Sequence, residues 1–195
     1  SSSQTLMGKT LKQGNSLISS SLPDSCLEGF FEVPSTRLPF DWQSEFPVLF
    51  SEENHGFDVL VFNPPYERLK PNRAEFRRHK TRDNKMELGH CAYEEHLRTL
   101  EEDVDFFRNS GVYPLSGIYS INTYRLFIER ALSLTRSDGR IAFIVPSTII
   151  ADYTAHKLRK ELLTSNRLES LYEFSERASL FPDVVQSLCV GVVKR

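Results

Sequence analysis

Six residues, Phe57-Asp58-Val59-Leu60-Val61-Phe62, run directly into Asn63-Pro64-Pro65-Tyr66, and this junction constrains the fold more than any other stretch of the chain. The run is nearly continuous in apolar residues, as expected of a parallel strand covered on both faces, so a buried sheet is expected here. The prolines end it. Pro64 pushes Asn63 out of the helical region, and neither proline has an N–H to offer a neighbouring strand. The carbonyls of Asn63 and Pro64 are then free to point away from the ladder, at the strand end where α/β sheets place their ligands. An Asn side-chain oxygen and a Pro64 carbonyl can each accept one hydrogen of a planar amine while the Tyr66 ring stacks on its flat face. Taken alone, the tetrapeptide fits a strand-ending turn equally well.

The surrounding pattern supplies the sheet. Arg140–Val145, Leu168–Phe174 and Leu188–Val193 read as further strands. An amphipathic helix is predicted over Thr123–Leu134, with Tyr124, Phe127, Ile128, Ala131 and Leu132 on one face, Asn122 as its cap, and Ser137-Asp138-Gly139 turning it into the next strand. A second helix is predicted over Tyr153–Leu163, with Ala155, Leu158 and Leu162 inward and Asp152 as its cap. Strands alternating with helices define an α/β fold. Ser175–Pro182 has no helical pattern, so the last two strands are expected to pair antiparallel.

Residues 67–115 are too long for an ordinary strand-to-helix connection and read as a charged helical insertion with a functional role. Glu67–Lys85 carries eight basic and three acidic residues, a local balance of +5, whereas Met86–Arg108 carries two basic and seven acidic ones. The two blocks can pair as solvated helices. Alternatively, Arg73, Arg77, Arg78 and Lys80, which follow the proline motif, can meet phosphates.

At 195 residues, with 39% hydrophobic and 26% charged residues, the chain has the composition of one soluble domain with a sizeable core. A net charge of −2 argues against a uniformly basic nucleic-acid binder but says nothing of local patches. No apolar stretch approaches the roughly 20 residues that span a bilayer, and the first residues lack a secretion pattern, so a cytoplasmic location is expected. Cys26, Cys91 and Cys189 have no paired spacing, which leaves free thiols, Cys189 in the core. His79, His90, Cys91 and His96 fit no common zinc spacing, and no metal is expected.

Four ordered motifs carry a resemblance. Asn63-Pro64-Pro65-Tyr66 after an apolar strand resembles the catalytic motif of amino-methyltransferases. Phe40-Asp41-Trp42, Glu45-Phe46-Pro47 and Gly56-Phe57-Asp58 resemble the lead-in of the Eco57I-like branch of adenine-specific DNA methyltransferases, which includes combined restriction and modification enzymes. Tyr124–Glu129 with Asp138–Pro146 resembles the next helix and strand of that branch. Leu180-Phe181-Pro182 with Cys189–Val193 resembles its late aromatic motif and closing strand. The likeness runs from about Thr10 to Arg195.

The resemblance implies an incomplete Rossmann-like class I methyltransferase sheet with an antiparallel final strand, and S-adenosyl-L-methionine as methyl donor. Its implied substrate is a flipped-out adenine of double-stranded DNA, methylated on its exocyclic amine within a restriction-modification protein. Asn63 and Pro64 then accept from the target amine, with Pro65 completing the motif. Tyr66 and Phe181 stack on the base. Gly14-Asn15-Ser16-Leu17 resembles the loop that touches the cofactor adenine, where the family usually has Asp at the Asn15 position; a turn after a short strand at Thr10–Gln13 reads equally well. The family also carries a glycine-containing cofactor loop and an acidic ribose contact earlier in the domain, and neither occurs in Ser1–Gln13. The chain therefore resembles the distal part of the domain, its N-terminal part being supplied by the same protein or by a partner chain. Two rival readings stand beside it: a protein glutamine methyltransferase using the same tetrapeptide, and a non-catalytic remnant that only binds nucleic acid or a partner.

Overall fold

A computed structural model describes residues 11–19, 37–72, 90–165, 167–178, 180–181 and 184–195. Along the chain it places α1 (Trp42–Glu45), β1 (Phe57–Phe62), α2 (His90–Asn109), α3 (Thr123–Leu134), β2 (Thr135–Pro146), α4 (Thr148–Ala151), a 3-10 turn (Tyr153–Ala155), α5 (His156–Thr164), β3 (Arg167–Phe174), a 3-10 turn (Glu176–Ala178) and β4 (Leu188–Lys194). The fold is α/β, with one mixed sheet in the order β1-β2-β4-β3. β1 and β2 are parallel, and β4 runs antiparallel to both β2 and β3; the β3–β4 pairing is the expected one, although their connection carries the 3-10 turn Glu176–Ala178 where no helical pattern was read.

One face of this sheet holds the main core. Leu60 and Phe62 of β1, Ile141, Phe143 and Val145 of β2, and Cys189 and Val193 of β4 meet Tyr124, Ile128, Ala131 and Leu132 of α3 and Leu158 and Leu162 of α5. Each fully buried side chain of this kind contributes roughly 1.5–3 kcal/mol. Phe143 stands opposite Gly191, and a Cβ at that glycine would lie 2.5 Å from the Phe143 ring, so glycine makes room for the aromatic.

The opposite face corrects the expectation of a sheet buried on both sides. Val59 and Val61 are 58% and 76% exposed. A run of apolar residues reports which side chains favour a strand, not what lies over them. Only one face is covered by α3 and α5, and among the described residues no strand pairs with the outer side of β1.

Other boundaries moved for local reasons. β2 begins at Thr135, not Arg140, because Thr135 already pairs with Phe57; the register then shifts so that Val59 faces Arg140. The Ser137-Asp138-Gly139 turn survives as an excursion within that strand, with Asp138 at φ 68° and bonds between Asp138 N and Arg195 O and between Arg195 N and Gly139 O. Asp152 caps as expected, accepting from Thr154 N, but it starts a 3-10 turn, and α5 proper begins at His156. Asn122 occupies the cap position of α3 without a side-chain bond to the helix.

The lead-in phrase acquires a physical role. Asp41 caps α1 through Ser44 N, Trp42 donates its Nε1 hydrogen to Ser16 O, and the Trp42, Phe46 and Phe50 rings stand edge-on to Phe57 at 5.6–5.8 Å. These contacts anchor the first residue of β1. A second cluster joins Leu17 and Ile18 to Phe106, Phe107, Tyr113, Ile121 and Leu126, and the Tyr113 hydroxyl donates to Leu17 O at 2.6 Å.

Of the charged insertion, residues 73–85 of the basic block lie outside the described residues, whereas most of the acidic block is α2. Within the described residues that helix meets Arg37, which reaches Glu102 and Asp103 at 3.1 Å and Thr99 O at 2.7 Å. His79 and the side chains of His90 and Cys91 are likewise outside the described residues; the His96 ring lies 6.4 Å from that of Tyr93.

Candidate active site

Asn63 stands exposed at the C-terminal end of β1, followed by buried Pro64, exposed Pro65 and half-buried Tyr66. The chain turns back here, and the Tyr66 hydroxyl donates to Asn63 Oδ1 at 2.6 Å while lying 3.3 Å from Ile144 O of β2. Burial above all, with a smaller push from Cys189, raises the Tyr66 phenol above its ordinary value of 10.0, so at neutral pH the hydroxyl keeps its proton and remains a donor. Cys189 itself is pushed up to about 11 by burial and then by Glu173, and it sits in the core as an unreactive thiol.

The tetrapeptide is therefore more than a turn made by its own prolines. Thr123 Oγ1, at the start of α3, donates to Pro65 O at 2.6 Å and accepts from Glu67 N at 3.1 Å, and Thr123 N donates to Glu67 O at 3.0 Å. Arg68 and Leu69 then bridge to Asn122 and Ile121. Sequence reading treated Thr123 only as the first residue of a helix; its signal was a hydroxyl at a helix start predicted to follow the strand-end motif.

This arrangement sorts the acceptors. Pro65 O is taken by Thr123, and no hydrogen bond among the described residues ends on Pro64 O. Asn63 Oδ1 has accepted once, and an amide oxygen has two lone pairs, so one acceptor position remains on it. Among the described residues, Asn63 Oδ1 and Pro64 O thus keep acceptor capacity next to the two prolines.

The other predicted residues are spread more widely. Phe181 lies in the β3–β4 connection, whose flanking residues Phe174 and Leu188 pair with each other, and Leu188 pairs with Pro146 at the C-terminal end of β2. It is on the same end of the sheet as Asn63, but among the described residues no ring contact joins it to Tyr66, and it lines a small cleft with Phe174, Leu180, Val184 and Leu188. Asn15 forms a turn: its Oδ1 accepts from Leu17 N at 3.2 Å, and its backbone N donates to Leu38 O at 2.7 Å. No strand occupies residues 11–13, and Thr10 lies outside the described residues, as do Arg73, Arg77, Arg78 and Lys80. Among the described residues no cluster of His, Cys, Asp and Glu could hold a metal ion, and no helix is long and apolar enough to cross a membrane.

The model of the Eco57I restriction-modification methylase family matches residues 2–181. The chain is 28% identical over 126 residues to the type II restriction enzyme and methyltransferase RM.Eco57I of Escherichia coli, a stretch that is 64% of this chain and 10% of that protein. It is 29% identical over 133 residues to a Methanocaldococcus jannaschii protein assigned as a type II restriction enzyme and methyltransferase, 68% of this chain and 8% of that protein. Among solved structures it is similar to DrdV in its complex with DNA, with a TM-score of 0.40, 18% identity, and coverage of 78% of this chain and 15% of that one. The chain thus spans about a tenth or less of the length of these curated relatives.

Proposed function

The chain belongs to the Eco57I restriction-modification methylase family, and on that basis we propose that it forms the base-binding part of an enzyme that methylates the exocyclic amine of adenine in DNA. The observation that carries this reading is the pair of acceptors at Asn63 Oδ1 and Pro64 O, held at a strand end by Tyr66 and Thr123. The amine of adenine is planar because its lone pair is delocalised into the ring. Hydrogen bonds from it to Asn63 and Pro64 favour a more tetrahedral nitrogen and stabilise the positive charge that develops on it during attack. A base within a duplex cannot reach such a pocket, so the target must be flipped out, and Tyr66 and Phe181 replace part of its lost stacking.

S-adenosyl-L-methionine is the methyl donor in this reading; it supplies a methyl group on a positively charged sulfur, so transfer depends on alignment rather than on proton removal by a strong base. The described residues fit only a small share of its contacts. Asn15 can offer its second lone pair to the cofactor's amino group, while the remaining contacts come from a further part of the domain, in the same protein or in a partner chain. Arg73, Arg77, Arg78 and Lys80 are assigned to DNA phosphates on their charge alone.

The direct test supplies the complete protein with methyl-labelled cofactor and unmethylated duplex DNA. Label should appear in N6-methyladenine after digestion to nucleosides. Label in protein glutamine would replace this reading with the glutamine methyltransferase, and no label in either would leave a binding remnant. Within the same assay Tyr66→Phe keeps the ring and removes the donor to Asn63 Oδ1. One net hydrogen bond is worth about 0.5–1.5 kcal/mol, so single-turnover transfer should fall roughly 2- to 10-fold. An unchanged rate would show that Asn63 is positioned without Tyr66.

A further inference from the structure

Beside the strand-end site stands an exposed group of rings to which the proposed chemistry assigns no work. Tyr119 precedes α3, and Tyr153 and His156 follow β2 and α4, so two segments separated in sequence meet here. The Tyr153 and His156 rings are stacked, with centroids 5.1 Å apart and planes 23° apart. Tyr119 is tilted against both, at 5.9 Å from Tyr153 and 6.0 Å from His156. Tyr119 is 47% and Tyr153 70% exposed, an unusual amount of aromatic surface to leave in water.

The group is built and held. Tyr119 has φ 60°, a left-handed backbone that is a genuine outlier for a bulky residue and costs on the order of one fold-stabilising contact to maintain. Arg125, fully buried, grips both segments at once: its guanidinium donates to Ser120 O, next to Tyr119, and to Thr154 Oγ1 at 2.8 Å, next to Tyr153. Arg108 donates to Tyr119 O at 3.2 Å. The first turn of α3 therefore does two jobs, since Thr123 fixes the Asn63 loop and Arg125, two residues on, fixes the rings. Both sites lie at the end of the sheet where β1 and β2 terminate.

Tyr119 also forms one wall of a cleft of about 690 Å³ that carries the cations Arg68, Lys70 and Arg108 against the carboxylates Glu101 and Asp105. Flat exposed rings beside a cleft with a cationic excess match a nucleic-acid strand, whose bases stack and whose phosphates seek positive charge.

We propose that Tyr119, Tyr153 and His156 form a stacking platform for an unpaired DNA base other than the methylated one, with the adjoining cleft taking its phosphates. The proposal rests on DNA being the substrate. It assigns these rings to a second, exposed base site, separate from the acceptors at Asn63 and Pro64.

The test uses the complete protein and two fluorescein-labelled single-stranded 12-mers, one with bases throughout and one abasic throughout, read by anisotropy. Tyr153→Leu removes the flat face at an exposed position, and Tyr119→Asn removes the ring while suiting the left-handed backbone. Each should weaken binding of the normal 12-mer roughly 5- to 150-fold, the range of one lost base–aromatic stack. Tyr153→Phe should stay within about twofold, and the abasic 12-mer should bind wild type weakly and ignore all three substitutions. Equal binding by Tyr153→Leu and wild type, loss in Tyr153→Phe, or equal losses on the abasic strand would each overturn the platform. If the protein methylates adenine in duplex DNA but the substitutions leave 12-mer binding unchanged, only the platform falls. If it neither binds nor methylates DNA, the platform and the DNA reading fall together.

Discussion

Asn63→Ala in the complete protein is expected to lower single-turnover methyl transfer about a hundredfold or more while changing DNA affinity little. Asn63 is exposed, so the substitution leaves no cavity in the core, and the strand end is held by Thr123 and the two prolines whatever residue stands at 63. What is lost is one acceptor for charge that develops only as the amine attacks. Removal of a comparable charge-stabilising hydrogen bond costs about 2.7–4 kcal/mol of transition-state stabilisation, which appears in the chemical step and not in ground-state binding. The Tyr66 hydroxyl, released from Asn63, still has Ile144 O within 3.3 Å, so it is not left buried and unpaired. Single-turnover kinetics at saturating DNA, with affinity measured separately, checks the split. A fall in affinity that accounts for the whole loss would assign Asn63 to binding the base and would remove it from the transfer step.

The second large effect is structural. Gly56→Ala should destabilise the domain by roughly 2–6 kcal/mol, adding about 1–3 kcal/mol of backbone strain to about 1–3 kcal/mol of overpacking. Gly56 has φ 131°, a conformation side chains rarely adopt, and an added Cβ would fall 2.4 Å from Leu134 O and 3.0 Å from Arg136 N. Neither backbone can withdraw easily: Leu134 is buried at the end of α3, and Thr135 between them pairs with Phe57. Gly56 N is itself tied to Leu49 O at 2.7 Å. Because β1 begins at the next residue, displacement here would propagate along the strand to Asn63, so methyl transfer should fall with stability. Thermal unfolding of the complete protein should show the transition of this domain shifted down. A melting profile identical to that of wild type would mean that the turn before β1 can rearrange at little cost.

The elements that sequence reading placed well are those whose signals are local. β1 runs over the same residues as the apolar run that predicts it, because Gly56 opens it and Pro64 removes the next donor. α3 matches its predicted span because apolar residues recur at helical spacing from Tyr124 to Leu132. The antiparallel pairing of β3 and β4 followed from a connection with no helical pattern. The four ordered motifs likewise identified the family that the family model then matched over residues 2–181.

Contacts across long stretches of chain were not legible. The apolar run of β1 could not reveal that Val59 and Val61 face outward, because propensity does not specify what covers a strand. The site shows the same division: the prolines told where the backbone must stop, but the partners of its polar atoms come from elsewhere. Thr123 meets Pro65 from 58 residues away, and Ile144 O comes within reach of Tyr66 from 78 residues away. Arg125 brings Tyr119 toward Tyr153 by holding the residues beside them. Asn15 spends one lone pair on Leu17 N, a choice that depends on how its turn is held against Leu38. Sequence by itself determined where β1 and α3 start and stop, since backbone restriction and periodicity act within a few residues, whereas the starts of β2 and α5 moved with their tertiary pairing and local turns. Only the tertiary structure decided which acceptors remain open and which rings stand together, because those depend on side chains that become neighbours only once the sheet has assembled.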